Sequence, residues 1–155
     1  MTRRRGLASG SADDTRRLGE RLGALLRAGD VVLLSGELGA GKTTFVQGIA
    51  RGLGFAGSVS SKSFVILGQY TGRTTLYHAD LYRLEDPRQV EELALDEMAA
   101  DGALVVEWPE HAQGLLPEGH LLVRFEVLSS RRRRLHLEPR GPRAAELAAT
   151  LQGEM

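Results

Sequence analysis

Residues 31–44 read VVLLSGELGAGKTT and contain the pattern from which the fold can be deduced. The first four residues are an apolar run, two of them β-branched, with the length of a buried strand. Gly36, Gly41, Lys42 and Thr43 then match the pattern G-x-x-x-x-G-K-[ST] at each fixed position. Apolar side chains at helical spacing follow the loop. Strand, glycine-rich loop and helix in this order predict a phosphate-binding loop (P-loop).

A loop of this kind binds phosphate through its backbone. Glycines let successive N–H groups point at phosphate oxygens, and the helix that follows places its positive dipole end there. We expect Lys42, as an exposed loop lysine, to neutralise the β- and γ-phosphates, and the Thr43 hydroxyl to bind Mg²⁺. The predicted nucleotide contacts in this stretch are Glu37, Leu38, Gly39, Ala40, Gly41, Lys42, Thr43 and Thr44.

Composition narrows the class of protein. The chain has 155 residues, a formal net charge of zero and no cysteine, which predicts one domain without disulfides or cysteine metal sites. No apolar run is long enough for a membrane span, so we expect a cytoplasmic protein that does not contact membranes. The only lysines are Lys42 and Lys62, and neither lies in the N/T-K-x-D element typical of guanine-specific P-loop proteins. The nucleotide is therefore expected to be ATP.

The remaining pattern predicts the fold class and the domain organisation. Helices are predicted from about residue 11 to 28, over 43–52, from 86 to 101 and over 143–151. Strands are predicted at 31–34, 64–70, 74–78, 103–106, 120–128 and 135–138. The expected fold is a single P-loop NTPase domain over residues 1–155, of the α/β class. It has three layers, with helices flanking a mixed, mainly parallel sheet that has an antiparallel portion. Residues 1–10 are expected to be a flexible arm.

Hydrolysis requires an acid on a strand next to the P-loop, and two acids compete for this role. Glu107 ends an apolar run at the position where parallel strands usually carry functional groups, and Asp80 ends a less apolar run. We assign Glu107 to Mg²⁺, and Asp80 to the attacking water with Mg²⁺ as a second possibility; an exchange of the two roles stays open. His78 is either a further ligand or a hydrogen-bonded structural residue.

Three other residues are candidates for nucleotide contact. Ser11, at the start of the first helix, is expected near the base. Residues 131–134 are all arginine; they form either a solvated hairpin tip or a contact with adenine or a partner, and Arg134 is the predicted contact. Trp108 is the only tryptophan, and it is either a packing residue or a side chain beside the nucleotide.

Three segments together resemble the bacterial TsaE family (also called YjeE), small P-loop ATPases required for making threonylcarbamoyladenosine in tRNA. These segments are GELGAGKTT at 36–44, YHADLYRL at 77–84 and EWPE at 107–110. The resemblance covers about residues 13–141. It implies Mg²⁺-dependent ATP hydrolysis and a complex with the TsaB–TsaD pair, through which the chain would serve tRNA indirectly. It also implies functional roles for Thr43, Asp80, Glu107 and Trp108, and it leaves the oligomeric state open.

One segment departs from the family pattern. Family members usually carry Ser-Pro-Thr-Phe in a mobile loop after the P-loop helix, and residues 61–64 read Ser-Lys-Ser-Phe here. The resemblance implies that Ser63 keeps the hydroxyl that contacts the γ-phosphate, while Lys62 replaces a proline. Two other functions share part of the pattern, a small-molecule P-loop kinase and a nucleotide-gated RNA-binding module. The first lacks an obvious lid, and zero net charge disfavours the second.

Overall fold

The structure, a computed structural model, describes residues 5–57, 67–84, 86, 88, 91, 94–112 and 114–153. Seven strands in this part of the chain form one sheet with the order β1-β7-β6-β2-β5-β4-β3. They are β1 (Arg5–Ser9), β2 (Val31–Ser35), β3 (Leu67–Thr71), β4 (Thr75–Asp80), β5 (Ala103–Glu107), β6 (His120–Val127) and β7 (Arg133–Arg140). The four strands β6, β2, β5 and β4 pair in parallel, and the three other pairings are antiparallel. The predicted α/β class with a mixed sheet is confirmed.

Helices cover both faces of the sheet, which gives the three predicted layers. Helices α1 (Ala12–Leu25), α2 (Lys42–Gly52) and α4 (Pro142–Leu151) share a buried apolar cluster on one face. Helix α3 (Leu95–Asp101) and the 3₁₀ helix Pro109–Ala112 pack on the other face. No helix in the described residues combines the length and apolarity needed to cross a membrane.

The expected flexible arm at residues 1–10 is wrong for residues 5–9, because these residues form strand β1. Its backbone pairs antiparallel with β7 from Arg5 opposite Leu137 to Ser9 opposite Arg133. Leu7 packs against the main core, and Ser9 is buried with its hydroxyl 2.7 Å from that of Thr15. A strand of five residues at the sheet edge is ordered by its partner rather than by its own apolar pattern, so the sequence did not reveal it.

The helix predicted over residues 86–101 is interrupted. Arg88 and Glu91 are helical, but Ala94 adopts a left-handed conformation with φ of 52°, and α3 begins at the next residue. The new start buries Leu95 and Ala99 in the second core. A left-handed residue that interrupts a helix is usually glycine, so an alanine at this position gives no sign of the interruption in the sequence.

Helices α1 and α2 lie backbone against backbone. Four glycines make this contact, and a Cβ added to any of them would overlap a carbonyl oxygen of the facing helix. These pairs are Gly19 with Phe45, Gly23 with Ile49, Gly48 with Arg16 and Gly52 with Glu20. The P-loop helix is therefore fixed on α1 through main-chain atoms, which cannot rotate away as side chains can.

We expect Gly48→Ala to lower the free energy of unfolding by about 2 kcal/mol or more, because overpacking at a rigid contact outweighs the better helix propensity of alanine. Gly6→Ala is the matched control, since an added Cβ there meets nothing closer than 3.7 Å. Chemical denaturation of both variants measures the difference. Equal stability of Gly48→Ala and wild type would contradict the close approach of the helices.

Candidate functional site

The predicted P-loop connects β2 to α2 as the sequence indicated. Ala40 is fully buried, and Gly41 caps the helix with φ of 104°, a conformation that favours glycine. Glycine offers no side chain to cap the first N–H groups of the helix. In an eleven-residue helix these groups, together with the helix dipole, favour an anion such as phosphate.

Lys42 is the first residue of α2 and is buried, only 4 % exposed, so the expectation of an exposed lysine is wrong. Its Nζ donates a hydrogen bond to the Gly36 carbonyl at 2.7 Å and lies 3.5 Å from the centroid of the Trp108 ring. Burial lowers the pKa of this amine, and the carboxylates of Glu107, Glu110 and Asp80 act in the opposite direction. The lysine is therefore desolvated and surrounded by acids, which favours an interaction with phosphate as soon as phosphate is present.

Asp80 and Glu107 end the neighbouring parallel strands β4 and β5 and stand opposite each other in register. Residues in register across a sheet project to the same face, so both carboxylates lie on the side of the P-loop helix. The pKa of Asp80 is raised by burial and by the charge of Glu107, although a hydrogen bond from the Tyr82 amide at 3.0 Å acts against this. The sheet thus brings together Lys42, Asp80 and Glu107, the three predicted catalytic residues.

Glu107 is the more buried of the two acids. Its Oε2 lies 2.6 Å from Nε2 of His78, and the two side chains are 5 % and 7 % exposed. This contact settles the alternatives for His78 in favour of a hydrogen-bonded role. The sequence placed the histidine two residues before Asp80 but could not show which acid it reaches.

The donor atoms at this edge of the sheet fit Mg²⁺. Asp80 and Glu107, whose charges act on each other, carry oxygen atoms of the kind that Mg²⁺ takes as ligands, and the hydroxyl of Thr43 belongs to the first turn of α2. Among the described residues, no group of three Asp, Glu, His or Cys side chains is placed to hold a metal ion. A cation here would therefore depend on substrate phosphates and water for the rest of its ligands, which is usual for Mg²⁺.

Trp108 follows Glu107 with a left-handed φ of 59°. Its ring lies between Tyr82, at 4.9 Å between centroids, and His111, at 5.8 Å. With the Lys42 amine above its face, Trp108 adjoins the candidate site.

We expect ATP or ADP to change the fluorescence of Trp108, because phosphates would attract Lys42 away from the face of the ring. Adenosine, which lacks phosphate, should leave the emission unchanged, and Trp108→Phe should give no signal, since the chain has one tryptophan. ATP binding detected by calorimetry without any change of emission would contradict the contact.

A cleft of about 370 Å³ opens on the other side of the P-loop. Its lining comes from α1, the P-loop, α2 and the β6–β7 turn, and consists of Ser11, Ala12, Thr15, Gly39, Gly41, Thr44, Ser130, Arg131 and Arg133. Ser11 also caps α1 by accepting a hydrogen bond from the Asp14 amide at 3.1 Å. The predicted contacts Ser11, Gly39, Gly41 and Thr44 thus share one cavity.

Arg134 is not among the residues that line this cleft; it is exposed on β7, where its side chain packs near Gly6 of β1. Within the candidate run 131–134, Arg131 and Arg133 line the cleft in place of the predicted Arg134. Nε of Arg133 donates to the Ala40 carbonyl of the P-loop at 3.1 Å, and Nη1 donates to the Ser129 carbonyl at 2.7 Å. Alternation along β7 places Arg133 on the cleft side and Arg134 on the opposite face, whereas Arg131 reaches the cleft from the turn before the strand.

Comparison with known proteins now identifies the family. A family model described as "Threonylcarbamoyl adenosine biosynthesis protein TsaE" matches residues 9–135. The chain belongs to the TsaE family. Proteins named tRNA threonylcarbamoyladenosine biosynthesis protein TsaE are similar to it. The one from Treponema pallidum is 41% identical over 82% of this chain and 95% of its own length, and the one from Streptomyces coelicolor is 46% identical over 72% and 78%.

The crystal structure of Bacillus subtilis YdiB is also similar, with a TM-score of 0.82 and 30% sequence identity over 99% of this chain and 97% of that one. The TsaE match contains every site residue named above, from Ser11 to Arg134, and leaves α4 outside. Ser63, for which the TsaE resemblance implied a phosphate contact, lies outside the described residues.

Proposed function

We propose that this chain is a Mg²⁺-dependent ATPase that supports the formation of threonylcarbamoyladenosine in tRNA together with the TsaB–TsaD transferase complex. Membership of the TsaE family supports the pathway, since relatives are named for this biosynthesis. One observation supports the activity above all. The buried Lys42 amine lies at the start of α2, facing the two acids that end β4 and β5.

The start of α2 and the cleft beside the P-loop suggest how ATP binds. Its phosphates bind at the N-terminus of α2, where Lys42 exchanges the Gly36 carbonyl for phosphate oxygens. The adenosine part lies in the cleft between Ser11 and the β6–β7 turn, with the planar guanidinium of Arg131 at its edge. Arg133 holds the P-loop backbone through Ala40 and so preserves the shape of the phosphate site.

Hydrolysis follows from the placement of Asp80. Water attacks the γ-phosphorus and gives a proton to Asp80, the bond to the β–γ bridging oxygen breaks, and ADP and phosphate leave. Burial raises the pKa of Asp80 above that of an ordinary aspartate, which makes the carboxylate a better proton acceptor. Lys42 stabilises the charge that develops on the transferred group.

Thr43 and Glu107 would hold Mg²⁺, with Asp80 close enough to contribute. When bound, the ion would supply neutralisation of phosphate charge. The different environments of Glu107 and Asp80 support Glu107 as the Mg²⁺ ligand and Asp80 as the proton acceptor. Glu107 is nearly inaccessible and fixed by His78, whereas Asp80 is less buried.

Co-purification with TsaB and TsaD, followed by ATPase assays with and without them, tests the proposal. We expect a stable complex and ATP hydrolysis that requires Mg²⁺ and rises when the partners are present. Phosphate transfer to a metabolite in place of water would favour the small-molecule kinase. Steeply salt-dependent tRNA binding by the isolated chain would favour the RNA-binding module.

A second expected result concerns communication between nucleotide and partners. A non-hydrolysable ATP analogue should alter affinity for TsaB–TsaD by about 5- to 150-fold relative to ADP, the range of typical coupling energies. If Ser63 senses the γ-phosphate, Ser63→Ala should reduce this ratio more than it weakens ATP binding. Titration of the partners in both nucleotide states decides this, and equal wild-type affinities in the two states would remove the coupling.

A further inference from the structure

The hydrolysis steps described above assign no chemistry to His78, although it contacts Glu107. His78 lies in β4, and Glu107 ends the neighbouring strand β5. The residues are 6% and 3% exposed, and the 2.6 Å between Nε2 and Oε2 is that of a short, charge-assisted hydrogen bond. A buried carboxylate is costly unless a donor satisfies it, so the pair must form together.

The chemistry of the two groups fixes the direction of the hydrogen bond. A carboxylate that binds Mg²⁺ is ionised and can only accept a hydrogen bond, so in that role of Glu107 the proton lies on Nε2 of His78. His78 therefore donates to Oε2 of Glu107. This uses one carboxylate oxygen and leaves Oε1 as the atom that can turn to the site.

Asp80 provides the contrast. Its Oδ1 accepts from the backbone amide of Tyr82, a donor that no side-chain substitution removes. Glu107 instead depends on the side chain of His78, which reaches it from the neighbouring strand. His78 and Asp80 are two residues apart in β4, so their side chains project to the same face of the sheet. His78 therefore lies further from the ends of the strands than the two acids do.

We infer that His78 is a positioning residue: by holding Oε2, it aims the remaining oxygen of Glu107 at the Mg²⁺ that accompanies ATP. This inference rests on the proposed function. His78 touches neither nucleotide nor metal in this account and acts only through Glu107. Hydrogen bonds to ligating groups commonly change metal affinity by about 10- to 100-fold when they are removed.

The test compares two amides at position 78. In His78→Gln the amide nitrogen falls near the place of Nε2 and keeps a donor, whereas in His78→Asn it stops at the place of Nδ1. The readout is ATP-analogue binding by calorimetry as a function of Mg²⁺, alongside the affinity without Mg²⁺. We expect His78→Asn to raise the half-saturating Mg²⁺ concentration by about 10- to 100-fold. In His78→Gln the half-saturating Mg²⁺ concentration should return most of the way to the wild-type value. Without Mg²⁺, both variants should bind the ATP analogue with wild-type affinity.

His136 supplies the matched control, since its Nε2 contacts Glu126 at 2.9 Å in the β6–β7 hairpin, outside the site. His136→Asn should leave the Mg²⁺ dependence unchanged. A purely structural role for His78 predicts lower thermal stability in both position-78 variants with wild-type Mg²⁺ dependence, and that result would overturn the inference. In Glu107→Gln, the additional change His78→Asn should have no further effect on Mg²⁺ if His78 acts through Glu107.

Failure of this inference differs from failure of the proposed function. If wild type binds the ATP analogue more tightly with Mg²⁺ and His78→Asn does the same at the same concentrations, only the role of His78 is wrong. If Mg²⁺ has no effect on wild type, both are wrong. Should His78→Asn not fold, His78→Gln decides: a shift above tenfold despite the retained donor, or no shift at all, would overturn the inference, and a smaller shift that disappears in the Glu107→Gln background would support it.

Discussion

Lys42→Ala should abolish detectable ATP turnover and weaken ATP binding strongly. The amine lies at the start of α2, where the charges of Glu107 and Asp80 act on it, and burial has already removed much of its hydration. Loss of one donor that stabilises developing charge typically costs about 10²- to 10³-fold in rate, and here the same group also binds the ground state. We therefore expect at least a 100-fold loss of turnover.

The variant should stay folded, because the change removes a buried charge together with its desolvation cost. Arg51→Ala is the control: this cation lies at the opposite end of the same helix, with its side chain 62% exposed. ATP affinity by calorimetry, turnover by phosphate release and thermal melting should be measured for both. A folded Lys42→Ala protein with wild-type affinity and turnover would refute the P-loop assignment.

Glu107→Gln and Asp80→Asn should both suppress hydrolysis, with different signatures. If Glu107 binds Mg²⁺, its loss should raise the Mg²⁺ concentration needed for tight ATP binding by about tenfold or more. Loss of the general base Asp80 should slow turnover by about 10²- to 10⁴-fold and leave ATP affinity nearly unchanged. The amides preserve shape and, for Glu107, an oxygen that can still accept from His78.

Binding titrations with and without Mg²⁺, combined with single-turnover rates, separate the two roles. Glu138→Gln is a suitable control, since this exposed acid pairs with Arg124 on β6, outside the site. Weaker Mg²⁺ dependence in Asp80→Asn and slower chemistry alone in Glu107→Gln would mean that the roles are exchanged.

The sequence predicted the P-loop and its surroundings well because each element there has a local cause. The apolar run of β2, the glycines of the loop and the helical spacing of α2 need no distant partner to be recognised. Asp80 and Glu107 were also found from sequence, since the ends of parallel strands meet at one edge of a sheet. The structure adds that they stand opposite each other in register.

The features that the sequence did not reveal depend on contacts between distant residues. Strand β1 exists because β7 offers it a free edge, and nothing within residues 5–9 required a strand. Arg133 reaches the P-loop, and Arg134 does not, because of the hairpin register, which an unbroken run of arginines leaves undefined. The acid that His78 contacts likewise depends on which strands are neighbours.

The glycine contact between α1 and α2 has a consequence for ligand selection. Ser11 caps α1 and Gly41 caps α2, and both residues line the same cleft. The width of the cleft is therefore determined by main-chain atoms meeting at positions 19, 23, 48 and 52, further along both helices. The fixed spacing of α1 and α2 would therefore limit the size of the nucleobase that fits, and this spacing is set by residues that do not line the cleft.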